Sequence, residues 1–392
     1  MSSDRCPACN SASLSVFYEQ PAVPSHSCLL MDDPHAARDF PRGDLRLALC
    51  EACGFISNRA YDPALAAYSE SYEEVQDFSP HFSAWLEGLA KDLVDRHNLH
   101  DKVVLEIGCG KGRFLELVCR FGPNRGVGID PASVPERVAP DVADRMRFLK
   151  QYYAPEHARL DADMIACRHT LEHVPGPAEL LGLIAETTRG RPDTVIFFDL
   201  PDVMRVLREG AFWDIYYEHC SYFTAGSLAR LFRRAGFDVT RLWRDYDDQY
   251  LLVEALPGGR GNGRAFAEEE SAADVADAAQ SFSRALRRAR DEWGATVRAH
   301  ASAGRRVIVW GSGSKGVAFL TTLGLEDEVA EVVDINPHKQ GKFMAGTGHP
   351  IVAPEALTER PPDVVIAMNP VYGEEIRRSL RDLGIDAELM AV

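Results

Sequence analysis

The sequence predicts an α/β protein with two Rossmann-like units, a small metal-binding domain before them and a long helix between them. Three observations lead to that reading. Two stretches, 102–115 and 306–316, each run from an apolar strand through a glycine-rich turn into a helix. Paired Cys-x-x-Cys motifs open the chain, and a glycine-rich break at 257–263 precedes an amphipathic stretch that runs to about Ser302. The expected domains are therefore 1–62 (zinc-binding), 63–256 (the first Rossmann-like unit), 257–303 (linker and long helix) and 304–392 (the second unit).

Length and composition agree with several cores. The chain has 392 residues, of which 46% are hydrophobic and 26% charged, more than one ordinary domain needs. Its start, Met1 to Cys6, lacks an apolar signal core, and no apolar run is long enough to span a bilayer. The expected location is the cytoplasm, with no membrane partner. A net charge of −16 without a local basic stripe argues against nucleic acid as a partner.

Cys6 and Cys9, and Cys50 and Cys53, form two turns about forty residues apart, each pointing two thiols at one ion. Four thiolates make a closed, structural zinc site. A redox Cys-x-x-Cys would follow a strand and open a helix, and neither pair has that setting. The other five cysteines read as small buried apolar residues; Cys28 lies between the pairs, where it is a possible substrate contact.

In the first unit, Val103 to Leu105 lead through Glu106 into Gly108-Cys-Gly110-Lys-Gly112 and an apolar-faced helix. A second strand ends at Asp130, about twenty residues on, where an acid accepts hydrogen bonds from both ribose hydroxyls of a nucleoside. Glycine turns of this kind also serve phosphates. Neutral backbone beside Glu106 and Asp130 suits a cationic sulfonium better, so S-adenosylmethionine is the expected cofactor. Arg168 and His169 end a further strand, 161–167, and His173 follows closely, all at the sheet end where α/β proteins bind ligands. His173 either faces substrate or caps a helix starting near Pro175.

The chain resembles the S-adenosylmethionine-dependent sugar C-methyltransferases that act on dTDP-4-keto-deoxysugars. The resemblance runs the whole length: the paired Cys-x-x-Cys motifs, VLEIGCGKGRFL, LEHV, the Tyr216-Tyr217-Glu218-His219 segment with its Ser-Tyr-Phe, WGSGSKG and DINPHKQG. It implies a class I (Rossmann-like) methyltransferase core, a small N-terminal zinc-binding domain and a C-terminal Rossmann-like α/β domain that closes over a nucleotide-sugar.

The segment 212–223 packs aromatic and titratable groups densely. Methylating carbon requires a base near neutral pKa within reach of a proton beside a carbonyl, and His219 has the right chemistry. The resemblance places the base on His219, with Tyr216 and Glu218 at the enolate or substrate hydroxyls and His173 near the reacting ring. Tyr217 and Tyr222 read as packing residues. The alternative for the whole stretch is a strand-helix junction with His219 satisfied by backbone.

Beyond the break, Val275, Ala279, Phe282, Leu286, Ala289, Trp293 and Val297 form one helical stripe that couples the two units. Gly311, Gly313 and Gly316 then follow a strand, with Asp334 ending another. The remaining stretch suggests one mononucleotide half, which argues against bound NAD. Such a half can receive a diphosphate at a helix N-terminus, with Lys315 adding charge; Gly311, Gly313, Lys315 and Gly316 are the expected substrate contacts. Asn336, Lys339 and 369–372 are further candidates for the same crevice.

The leading expectation is C-methylation of a nucleotide-linked keto-sugar by a monomer or homo-oligomer. O- or N-methylation of another natural-product metabolite stays open, as do an NAD-dependent oxidoreductase and a noncatalytic zinc-bearing module.

Overall fold

The computed structural model describes residues 4–66, 71–258 and 265–392. Most of the glycine-rich break therefore lies outside the described residues. The described residues form three sheets.

The central sheet has seven strands. From one edge they are Phe237–Asp245, Tyr250–Pro257, Val195–Pro201, Met164–Arg168, Val103–Ile107, Arg125–Ile129 and Met146–Leu149. Numbered along the chain and read from the other edge, the order is 3-2-1-4-5-7-6. The first five are parallel, while Tyr250–Pro257 runs antiparallel to both neighbours. This is the class I core. Its middle strands are covered on both faces, which is why Met164–Arg168 is buried throughout and reads as a continuous apolar run. On one face the helix Pro80–Arg96 packs Phe82, Leu86 and Leu93 toward Leu117 and Val118 of the helix Arg113–Phe121. Each such side chain contributes about 1.5–3 kcal/mol on burial.

The N-terminal sheet joins Leu14–Pro24, Arg42–Cys50 and Ile56–Asn58 in antiparallel order, and its last strand is Ser221–Tyr222. Residues 1–62 thus share a sheet with the segment that follows His219.

The C-terminal sheet departs from the single half suggested by its length. It has five parallel strands, Val307–Trp310, Val332–Val333, Ile351–Val352, Val364–Ala367 and Glu388–Ala391, in the order 3-2-1-4-5. Five fit because each is only two to four residues long. The sheet therefore has a reversal of strand order, the place where doubly wound sheets bind ligands.

Between the units runs the helix Ala272–Ser302, started by a capping box of Ser271 and Asp274. Val275, Ala279, Phe282, Leu286 and Val297 of the expected stripe are buried, and Ala289 and Trp293 pack at its margin. The carboxyl ends of the central and C-terminal parallel strands line one cavity of about 1650 Å³.

Candidate active site

At one end of the cavity the backbone leaves Val103–Ile107 through Gly108, whose φ is +70°. A β-carbon there would fall 1.9 Å from Thr170 Oγ1, so only glycine fits. Asp130 accepts from the Gly110 and Ala132 amides at 2.9 and 2.6 Å, tying the second strand end to the glycine turn. Glu106 is 2% exposed, its Oε2 has no hydrogen-bond partner, and burial pushes its carboxyl up to about 8. These three positions make a concave, acid-lined pocket suited to a cationic nucleoside.

Arg168 lies deeper. Its Nε is 2.8 Å from Asp199 Oδ2, and its guanidinium stacks 4.8 Å from the Phe114 ring. That pairing satisfies the buried cation, and the side chain braces the pocket wall. His169 adopts φ +44°, uncommon for a non-glycine residue, and its ring packs 4.5 Å from Tyr250.

The same cavity is lined by Tyr216, His219, His173 and Glu172. The His219 ring lies 4.2 Å from the Tyr216 ring and 4.8 Å from the His173 ring. His173 Nδ1 donates to the Glu218 carbonyl at 3.1 Å; since a carbonyl only accepts, the proton sits on Nδ1. Burial, then the neighbouring His173 and His169, pushes His219 well below the usual histidine range, so the imidazole is neutral near pH 7. Burial, then Asp214 and Glu218, raises Tyr216 well above 10, so it remains a phenol. Glu172 is 3% exposed and its Oε2 has no hydrogen-bond partner. One donor atom from each of Glu172, His173 and His219 lies within 4.8 Å of the others.

The segment carrying these groups is clasped from the N-terminal side at successive residues. Tyr217 Oη accepts from the Asp62 amide at 2.7 Å, and Glu218 Oε1 accepts from the Ser27 amide at 2.6 Å with His26 Nδ1 at 3.0 Å. Ser221 and Tyr222 pair with Ser57 and Ile56. Glu218 thus departs from expectation: its side chain turns from the cavity toward 26–27, because the chain sends 216 and 219 one way and 217 and 218 the other. It positions its neighbours. Tyr217 and Tyr222 are buried in packing. His173 caps no helix; the next one begins at Pro177 with Gly176 as its cap.

The far end of the cavity is built by Gly311, Gly313, Lys315 and Gly316 at the start of the helix Ser314–Leu323. Lys315 also departs from expectation. Its Nζ lies 3.2 Å from Asp214 Oδ1 and 3.1 Å from Gln249 Oε1, so its charge is already matched inside the protein. Arg205 holds the other oxygen of Asp214 at 2.5 Å. Asp334 accepts from the Ser312 and Asn336 amides at 3.0 and 2.9 Å, with Lys339 at 3.6 Å. Gln249 and Asn369 exchange two amide bonds of 3.0 Å and link the two units. Cys28 lines the cavity, with its sulfur 3.6 Å from Ser314 Oγ.

Apart from the cavity, all four thiols of Cys6, Cys9, Cys50 and Cys53 lie within 4.8 Å of one another. Cys6 to Cys53 is 3.8 Å and Cys9 to Cys50 is 3.5 Å.

Comparison with known proteins bears on the chemistry. Residues 81–242 match the model of a methyltransferase domain, and residues 262–386 match that of a C-methyltransferase C-terminal domain. The chain is an S-adenosylmethionine-dependent methyltransferase, and its C-terminal part is similar to that of C-methyltransferases. It is 29% identical to C-methyltransferase NovU of Streptomyces niveus, over 72% of this chain and 70% of that protein. A ubiquinone biosynthesis O-methyltransferase of Pseudoalteromonas translucida is 34% identical over 26% of this chain and 44% of its own. Among solved structures, a Burkholderia thailandensis 1,6-didemethyltoxoflavin-N1-methyltransferase aligns with 47% of this chain and 84% of its own, at 20% identity and a TM-score of 0.35. That score is too low to add to the strand order described above.

The methyltransferase cavity includes groups that the motifs alone did not single out. Asp214 and Glu172 lie inside quoted segments, where density of titratable residues was their only signal. Glu74 and Gln249 had none: Glu74 stands in a charged run that reads as solvated surface, and Gln249 in a hairpin turn.

Proposed function

We propose that this methyltransferase methylates the carbon beside the ketone of a dTDP-4-keto-deoxysugar, with His219 as general base. The observation that supports the reading is the neutral His219 beside Tyr216, His173 and Glu172, in one cavity with the acid-lined glycine pocket and the glycine turn of the C-terminal unit. Gly108, Gly110, Glu106 and Asp130 would hold S-adenosylmethionine, with Arg168 and His169 as the wall behind it. Bound there, the cofactor supplies an electrophilic methyl group.

His219 accepts the proton on the acceptor carbon, which leaves an enolate as the methyl acceptor. Tyr216, kept as a phenol, donates to the enolate oxygen. Glu172 offers a counter-charge to the imidazolium that forms. Gly311, Gly313, Lys315 and Gly316 line the end that receives the nucleotide, and Lys315 exchanges its Asp214 partner for phosphate there.

The test is incubation of the full chain with S-adenosylmethionine and a dTDP-4-keto-6-deoxysugar in D₂O. Carbon methylation, with deuterium entering the same carbon when the methyl donor is withheld, is expected. Methylation on oxygen alone, or no exchange at carbon, sinks the reading.

The four thiols fit structural zinc. Thiolates about 2.3 Å from zinc define a tetrahedron with edges of about 3.8 Å, close to the two sulfur separations given above. About one zinc per chain is expected by metal analysis. Cys50→Ser should lose it and lower the unfolding temperature by about 10 °C or more; an unchanged melting curve argues against the site. Among the described residues no helix is long and apolar enough to cross a membrane.

A further inference from the structure

We infer that Glu74 is a donor-binding residue that reads the positive charge of the methyl donor, so that the neutral-sulfur product is bound less tightly than the cofactor. Glu74 precedes residue 81, where the methyltransferase-domain match begins. It reaches the donor pocket from outside that domain: a β-carbon built on Gly110 would lie 2.6 Å from Glu74 Oε1. The residue lines the cavity, and its Oε2 is buried without a hydrogen-bond partner.

Charge makes such a group selective. With Glu106 and Asp130, Glu74 completes three carboxyls around one glycine turn, an arrangement that favours a ligand bearing both an ammonium and a sulfonium. Burial pushes Glu74 up to about 7, with Lys111 opposing, and Asp130 and Glu73 adding to the rise. Cys28, Cys109 and Lys339 also feel its charge. A cation arriving beside it favours the carboxylate, so Glu74 gives up its proton as the donor binds. Methyl transfer removes the sulfonium charge, and the carboxyl takes a proton back before the product leaves.

The residues flanking Glu74 are also held by both units. Glu73 meets Arg137 at 2.8 Å and Asn336 at 3.0 Å, Asn336 reaches the Val75 carbonyl at 3.4 Å, and Tyr372 Oη reaches Gln76 at 3.2 Å. The inference rests on the donor pocket and not on the identity of the acceptor.

Calorimetry with the full chain tests it, using S-adenosylmethionine and S-adenosylhomocysteine in two buffers of different ionisation enthalpy. Near pH 7 the wild type should release about half a proton per S-adenosylmethionine and almost none with the product. E74Q should cut the preference for cofactor over product by about tenfold and lower that release by about half a proton, any remainder coming from Glu106, whose carboxyl burial also pushes up to about 8, with product affinity changed less than about twofold. Equal weakening of both ligands, or an unchanged preference, overturns the inference. If E74Q does not fold, equal proton release by both ligands in the wild type overturns it as well. A wild type that binds neither ligand removes the donor pocket itself, and the inference with it, whatever sugar assays show.

Discussion

His219→Asn lowers kcat by about 10²–10⁴-fold, the usual worth of a positioned base, while S-adenosylhomocysteine binds as before. The ring contacts of His219 are Tyr216, His173 and Tyr222 and not the glycine turn, so donor affinity measured by calorimetry should not move. The wild-type pH profile adds a sign. A base must be unprotonated, and burial with the neighbouring histidines holds His219 well below 6.5. Activity should therefore persist at pH 6.5 and fall only in more acid solution. The same shift works against folding in acid, because the unfolded chain binds the proton first: this contribution to stability is present above about pH 6.5 and is lost as pH falls below it. Activity retained in H219N would end the assignment of His219 as base.

The second large effect is steric. Gly108→Ala puts a methyl group 1.9 Å from Thr170 Oγ1 at a φ of +70°. Relief requires moving the backbone that joins Ile107 to the turn, whose amide bonds to Ile129 O at 2.8 Å. We expect donor binding to fall below detection by calorimetry, with stability reduced by about 1–3 kcal/mol. The double variant with Thr170→Gly removes the clash and should recover part of the binding. A G108A protein with normal donor affinity would show that the turn is not the binding surface.

Much of the proposed donor pocket was legible because its elements are local. Gly108, Gly110, Glu106 and Asp130 are set by strand, turn and helix signals within thirty residues, and they line one cavity. Side-chain direction was not legible. Glu218 and Lys315 carry the right chemistry at the right place in the sequence, yet one turns to His26 and the other pairs with Asp214, partners supplied by distant segments. The five-stranded C-terminal sheet was missed for a different reason: two-residue strands such as Val332–Val333 and Ile351–Val352 are too short to show a period. The long helix was the easiest element to foresee, since its stripe repeats along Ala272–Ser302 under a clear capping box.

The clasp on 217–222 has a consequence for a metal that never meets substrate. Ile56 and Ser57, three and four residues past Cys53, form the rung on which Ser221 and Tyr222 hang. Losing the ion would loosen that rung, and the neighbouring His219 would lose its bearing on the acceptor carbon. If the proposed zinc is bound there, chelation should lower turnover before it releases the donor, the ion acting on the catalytic rate from a distance through one shared sheet.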